Sequence, residues 1–241
     1  MSIRLETAML MAAGLGKRMR PLTATRPKPL IRVAGQPLID HALDKVEEAG
    51  IRRSIINVHY LADSIEAHLR ARARQTGADY LISDERGKLL ETGGGLVKAL
   101  PLIGDKPFLC VNADVLWVDG PTRAIDALAA RWDPAIMDAL LLLIPFARAT
   151  GYPGMGDFHM DAQGRIARRK PGRVGPFVYC SLQIISPRLI VDPPSDVFST
   201  GVFWDRAIAA GRAYGLSHTG LWFDVGTPPA IPLVEAALLD G

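Results

Sequence analysis

The stretch Thr7-Ala-Met-Leu-Met-Ala-Ala-Gly-Leu-Gly-Lys-Arg-Met-Arg-Pro-Leu-Thr-Ala-Thr-Arg-Pro-Lys-Pro-Leu30 decides how this chain is read. From Thr7 to Ala13 it is small or apolar without a charge, the pattern of a strand buried on both faces. Gly14 and Gly16 stand where that strand ends. Glycines there let backbone N–H groups turn inward as an anion nest, and Lys17 and Arg18 follow to neutralise the charge gathered in it. Lys28 lies between Pro27 and Pro29, which restrict the backbone and reduce the ordering cost of aiming that lysine. The segment therefore describes a buried strand feeding a phosphate site.

Two familiar phosphate loops do not fit it. A Walker A loop needs G-x-x-x-x-G-K-[ST], but Met11 stands five before Gly16 and Arg18 follows Lys17. The dinucleotide fingerprint G-x-G-x-x-G fails because Met19 occupies its last position. The plain alternative is a glycine-rich turn with incidental basic residues. Against it stands the density of charge: Lys17, Arg18, Arg20, Arg26, Lys28 and Arg32 occur without an acid among them, although the net charge is only +3. A second basic cluster comprises Arg165, Arg168, Arg169, Lys170 and Arg173. Neither is accompanied by a nucleic-acid motif or interleaved aromatics, so no nucleic-acid partner is expected.

Outward from the opening strand, β and α patterns alternate. Leu38, Ile39, Ala42, Leu43 and Val46 recur at helical spacing until Gly50 supplies a stop. The pattern predicts strands at Ser54 to Val58, Ala78 to Ser83, Phe108 to Val111 and Ala139 to Ile144, and helices at Ala62 to Arg74, Gly93 to Leu100 and Pro121 to Arg131. Pro101 is expected to end the third helix. Strand after helix after strand implies parallel pairing by right-handed crossovers, hence an α/β, doubly wound, mostly parallel sheet. After Pro145 short β-like segments at Met155 to Met160, Arg165 to Arg168 and Val178 to Ile185 suggest a small antiparallel extension. A helix from Val197 to Ala210, a strand into Asp224 and a helix from Pro229 to Leu239 follow. The expected organisation is one domain over 1–241, with a core at 1–145 and an extension followed by C-terminal helices at 146–241. In such sheets ligands sit beyond the carboxyl ends of the strands, which directs attention to the loops at Gly14, Asn112 and Asp224.

Composition narrows the class further. Of 241 residues 49% are hydrophobic and 22% charged, an ordinary globular balance with ample core material. Neither a signal-peptide pattern nor a run of the ~20 apolar residues needed to span a bilayer is present, so a soluble, cytoplasmic protein with no membrane partner is expected. Cys110 and Cys180 lie among apolar residues and read as reduced core cysteines. The five histidines show no metal-ligand spacing, which argues against a zinc enzyme.

The string from Met11 to Thr23, continued by Arg26 to Leu30, resembles the signature of the sugar-1-phosphate nucleotidyltransferase family. That resemblance implies a Rossmann-like fold of the glycosyltransferase-A type, and a nucleoside triphosphate and a sugar 1-phosphate as the molecules bound. It implies that Met11, Ala12, Ala13, Gly14, Gly16, Lys17 and Arg18 wrap the triphosphate, with Arg18 at the β and γ phosphates and Lys28 at the α-phosphate. Nucleotidyl transfer concentrates charge on phosphate oxygens, so carboxylates holding Mg²⁺ are needed near the strand ends. Asp114 and Asp224 match the family's two magnesium positions, although Ala113 replaces the usual glycine before Asp114. Arg18, Lys28 and Asp114 are the expected catalytic residues. Asn112 is expected at the sugar or at a metal-bound water.

Leu90-Glu-Thr-Gly-Gly-Gly95 resembles the loop that reads the base, with Thr92 and Gly93 as its contacts and glycines leaving space near the base. This version, with Glu91 where many relatives have glycine, resembles the branch that joins UTP to N-acetylmuramic acid 1-phosphate. Gly156 and Lys170 resemble sugar-phosphate contacts. Arg169 stands where many relatives have an acid, and Ser181 where they commonly have glycine. The alternatives are a guanylyltransferase for mannose 1-phosphate or a heptose phosphate and, from another class, a catalytically silent nucleotide-sensing subunit. The sequence leaves the oligomeric state open.

Overall fold

The computed structural model describes residues 2–239. In chain order its strands and helices are β1 (Thr7–Met11), β2 (Arg32–Val33), β3 (Gln36–Pro37), α1 (Leu38–Glu48), β4 (Arg53–Val58), α2 (Ala62–Thr76), β5 (Asp79–Asp84), α3 (Glu91–Ile103), β6 (Phe108–Asn112) and β7 (Val115–Val118). There follow α4 (Ala124–Arg131), β8 (Ala139–Pro145), β9 (Phe158–Met160), β10 (Ile166–Arg168), β11 (Phe177–Ile185), α5 (Gly201–Ala209), β12 (Ala213–Ser217), β13 (Leu221–Asp224) and α6 (Ala230–Leu239). A nine-stranded sheet carries the fold. Its centre is the parallel run β5-β4-β1-β6, as the alternating pattern predicts.

Alternation along each strand explains why helices cover both faces. Ala8 and Leu10 of β1, with Leu109 and Val111 of β6, point into one core with Leu43 and Val46 of α1, Leu69 of α2 and Leu128 of α4. Met9, Phe108 and Cys110 point the other way, into a core with Leu96 and Ala99 of α3 and Phe203 and Ala207 of α5. Cys110 and Cys180 are free and buried. Among the described residues no helix is long and apolar enough to cross a membrane.

Three expectations are corrected. β8 does not continue the parallel run beside β6, because β11 inserts between them, antiparallel to both, and β12 then pairs parallel with β8. Pro101 lies inside α3, which continues to Ile103. A proline near a helix end lacks only one intrahelical bond, so the last turn can still close. The helix expected from Val197 begins at Gly201, because Phe198 is committed to α3: its carbonyl accepts from Gly93 and Gly94, and its N–H donates to Leu90.

A smaller unit stands apart from the main sheet: β7 and β13 pair antiparallel, with Asp224 opposite Val115. Leu116, Phe223 and Val225 pack there against Met19, Ile31 and Val33 from the glycine-rich segment and against Val234 of α6. His218 holds this ribbon. It is 3% exposed, and its Nε2 lies 3.1 Å from the carbonyls of both Val118 and Leu221. Burial lowers its pKa from the ordinary value, although the two carbonyls and Asp119 oppose the shift. Between the folded and unfolded values the unfolded chain binds a proton that the folded chain refuses, so stability is lost as pH falls below the ordinary histidine range. Thermal melts from pH 7.5 to 5.5 are expected to show this loss, at a slope of up to about 1.4 kcal/mol per pH unit. His218→Gln, which retains a donor but cannot titrate, should flatten it, and parallel pH profiles would refute the assignment.

Candidate functional site

A cavity of about 430 Å³ opens beyond the carboxyl ends of β1, β4 and β6. Its wall is the continuous segment from Met11 to Met19, completed by Lys28, Asn57, Glu85, Thr92, Asn112 and Asp114 among others. The sequence segment that predicts a phosphate site thus forms one side of this cavity. Gly16 is required here by conformation and by space. Its φ is +60°, and a Cβ on it would lie 3.0 Å from the Cβ of Lys28. Thr23 fixes the loop by donating its hydroxyl to the Gly16 carbonyl at 2.8 Å.

Lys28 follows Pro27 at the start of a short 3₁₀ turn, and only 7% of it is exposed. Its Nζ lies 2.6 Å from Asp114 Oδ2. Asp224 reaches the same place through the β7–β13 register. A Cβ on Gly226 would lie 3.0 Å from a guanidinium nitrogen of Arg18 and 3.1 Å from Asp224 Oδ1. Burial raises the Asp224 pKa, Lys28 and Arg18 oppose that shift, and Asp114 adds to it. Two carboxylates and two cations therefore share one electrostatic neighbourhood. Among the described residues no cluster of three His, Cys, Asp or Glu side chains could hold a metal alone. Two carboxylates beside this cavity do suit Mg²⁺, which commonly takes one or two carboxylates and completes its shell with water and substrate phosphates.

The segment expected to read the base differs from the expected picture. The glycines do not leave open space: a Cβ on Gly93 would sit 2.5 Å from the Phe198 ring, and one on Gly94 would sit 2.1 Å from the Asp196 carbonyl. They admit the chain at Asp196 to Phe198, and Gly93 is absent from the cavity wall. Thr92 does line the cavity while its hydroxyl oxygen accepts from Thr200 N–H at 2.9 Å. Glu91 stands at the mouth with φ +63°, a left-handed conformation that accounts for glycine being common at this position.

Sequence reasoning missed the pair that holds this wall together. Asn57 accepts from Ala12 N–H at 2.7 Å and donates to Glu85 Oε1 at 2.7 Å, while Glu85 Oε2 accepts from Leu90 N–H at 3.2 Å. Both side chains are buried. A continuous buried path thus joins the phosphate segment to the base segment. The available signal was a polar Asn57 inside the apolar run that ends β4, and an acid immediately after β5.

Asn112 lies on the cavity wall and donates from Nδ2 to Ser181 Oγ at 3.1 Å, which leaves its carbonyl oxygen as the free acceptor. Ser181 has φ +64° within a register shift of β11, the physical reason a glycine is expected there. Ala113 is wholly buried, and its N–H donates to the Met11 carbonyl, so its methyl group does not obstruct the cavity. Gly156 and Lys170 do not line this cavity. Gly156 is buried against the Gly175 carbonyl, and Lys170 is exposed on the turn after β10.

A family profile described as nucleotidyl transferase matches residues 7–171, and the chain belongs to that family. It is 44% identical to N-acetylmuramate alpha-1-phosphate uridylyltransferase of Caulobacter vibrioides, covering 98% of both chains. It is 35% identical to the enzyme of the same name from Neisseria meningitidis serogroup B, covering 97% of this chain and 98% of that one. The fold also matches the inositol-1-phosphate CTP transferase of T. maritima with a TM-score of 0.79 at 14% identity, covering 99% of this chain and 97% of that one.

Glu85→Gln tests the buried path. An amide has one acceptor where Asn57 and Leu90 present two donors, and a buried donor left unmatched costs about 1–3 kcal/mol. The variant should melt about 2–10 °C lower and bind nucleoside triphosphate more weakly. Unchanged melting and unchanged nucleotide affinity would show that the path carries no strain between the two segments.

Proposed function

We propose that the chain transfers a uridylyl group from UTP to N-acetylmuramic acid 1-phosphate, forming the nucleotide sugar and releasing pyrophosphate. The observation that carries this reading is the Lys28–Asp114 pair in a cavity walled by the glycine-rich segment, with Asp224 beside Gly226 and Arg18 at the edge of that cavity. The full-length similarity to two uridylyltransferases of that name supports the choice of substrates.

A phosphate oxygen of the sugar 1-phosphate attacks the α-phosphorus in line. The new P–O bond forms as the bond to the bridging oxygen breaks, and pyrophosphate carries away the electron pair. The attacking phosphate is already ionised near neutral pH, so no general base is required. Backbone N–H groups at Gly14 to Lys17 and the Arg18 guanidinium hold the β and γ phosphates. Lys28, aimed by its flanking prolines, follows the charge that builds on the α-phosphate oxygens. Thr92 and the start of α3 face the base, and the Asn112 carbonyl oxygen accepts from the sugar. Asp114 and Asp224 are the residues that would hold Mg²⁺, which when bound would supply charge neutralisation for the phosphate oxygens.

Pyrophosphate release across four nucleoside triphosphates and a panel of sugar 1-phosphates tests the reading. UTP with N-acetylmuramic acid 1-phosphate should give the highest kcat/KM, with UTP ahead of GTP by about 10- to 100-fold. GTP with mannose 1-phosphate in first place would replace the substrates while leaving the reaction class.

Asp114→Asn and Asp224→Asn should each lower kcat by at least about 100-fold. Asp224→Asn should melt close to the parent, because it removes no packing contact, whereas Asp114→Asn takes the counter-charge from the enclosed Lys28 and should melt lower. Near-normal Mg²⁺-dependent turnover in both variants would sink the metal assignment.

A further inference from the structure

A second cavity, of about 340 Å³, is lined by Asp157, Arg168, Arg169 and Pro171. Two short structural paths tie it to the nucleotide cavity. On one side Asp224 donates its N–H to the Thr150 carbonyl, and two residues later the Tyr152 hydroxyl donates to Asp157 Oδ1 at 2.9 Å. On the other side Asp157 Oδ2 accepts from Tyr179 N–H at 2.9 Å, and Ser181, two residues along, holds Asn112. Both connections place Asp157, which lines the second cavity, within a few residues of groups that wall or edge the first.

The polar groups lining this cavity are not equivalent. Asp157 has both carboxylate oxygens engaged by Tyr152 and Tyr179. Arg168 is engaged as well: it pairs with Asp205 at 2.7 Å and lies over the rings of Phe158 and Trp204. Arg169 differs. Its Nε donates to the Gly156 carbonyl at 2.9 Å and its Nη1 to the Arg173 carbonyl at 3.3 Å, so backbone groups orient the guanidinium plane. Its Nη2 edge has no hydrogen-bond partner, and Arg169 has no carboxylate within ion-pair distance among the described residues. Gly175 packs against the stem, where a Cβ would lie 3.1 Å from that of Arg169. An oriented guanidinium with open donors and no counter-charge is suited to a planar carboxylate.

We propose that Arg169 is the anchor for the carboxylate of an acidic sugar substrate, and so the residue that separates N-acetylmuramic acid 1-phosphate from its neutral counterpart. This rests on the functional reading above and names the side chain that enforces it. N-acetylmuramic acid differs from N-acetylglucosamine by a lactyl ether whose end is a carboxylate, so the two sugar 1-phosphates isolate the contact. Arg169 forms no bond to the reacting phosphates and acts on specificity.

The experiment measures kcat/KM with UTP for both sugar phosphates, or Ki as a competitive inhibitor where turnover is too slow, in the parent protein, Arg169→Gln and Arg169→Lys. Arg169→Gln should lose about 10- to 100-fold on the muramic substrate and much less on the neutral one, the effect of one charge-assisted contact. Arg169→Lys should fall between, because it keeps the charge without the fork. Both sugars are measured on one preparation, so a loosened fold lowers both and cancels in the ratio. Equal losses on the two sugars, or none on either, overturn the anchor while leaving the reaction class and UTP in place. A parent protein that prefers the neutral sugar overturns the acidic substrate itself.

Discussion

The charged groups of the candidate site depend on the register of one short antiparallel pair. With Asp224 opposite Val115, the carboxylate that ends β13 is carried to the one that precedes β7, although 110 positions separate them in sequence. Two carboxylates brought together repel, and burial adds to the difficulty of keeping Asp224 ionised. The arrangement survives because Lys28 and Arg18 arrive from the opposite wall. The small apolar core of Met19, Val33, Leu116 and Phe223 holds the two walls against each other. A slip of one residue in this pair would turn Phe223 outward and send Asp224 to the other side of the ribbon.

The main sheet supplies rigidity of a different kind. β1 lies between β4 and β6 with buried side chains on both faces, so Met11 ends at a fixed height, and Asn57 and Asn112 end beside it in register. Each of these amides then orients a neighbour. Asn57 links the phosphate segment to Glu85 and the start of α3, and Asn112 meets Ser181 on the inserted antiparallel strand. Because buried donors and acceptors cannot be left open without a penalty comparable to a lost hydrogen bond, these links make neighbouring loops move as a unit.

What the sequence disclosed follows from how local the signals are. The buried strand at Thr7, the glycines after it and Lys28 between two prolines are continuous in the chain, and short apolar runs and helical spacing marked the parallel core and its helices. Pairings that cross the chain left no such trace. Val115 to Val118 is too short and too ordinary to be recognised as the partner of Leu221 to Asp224, and nothing local says that β11 inserts between β6 and β8. The three glycines at 93–95 show the same limit. Sequence reports the missing side chains but not what fills their place, and here it is Phe198, Asp196 and Glu85. Glu91 and Ser181 were visible as departures from glycine, but only their left-handed φ values give the departures physical meaning.

The Lys28–Asp114 pair connects this architecture to chemistry. At 2.6 Å, with the lysine almost wholly enclosed, each group lowers the cost of holding the other's charge away from water. On the proposed function, a triphosphate entering the glycine-rich wall would compete for Lys28, and a divalent cation accompanying it would compete for Asp114. Either arrival alone would strand one charge of a buried pair, whereas both together replace each lost partner with a stronger one. On that reading the site would favour nucleotide and metal as a joint ligand. It also keeps the lysine near its working position beforehand, so less ordering remains when the α-phosphate arrives.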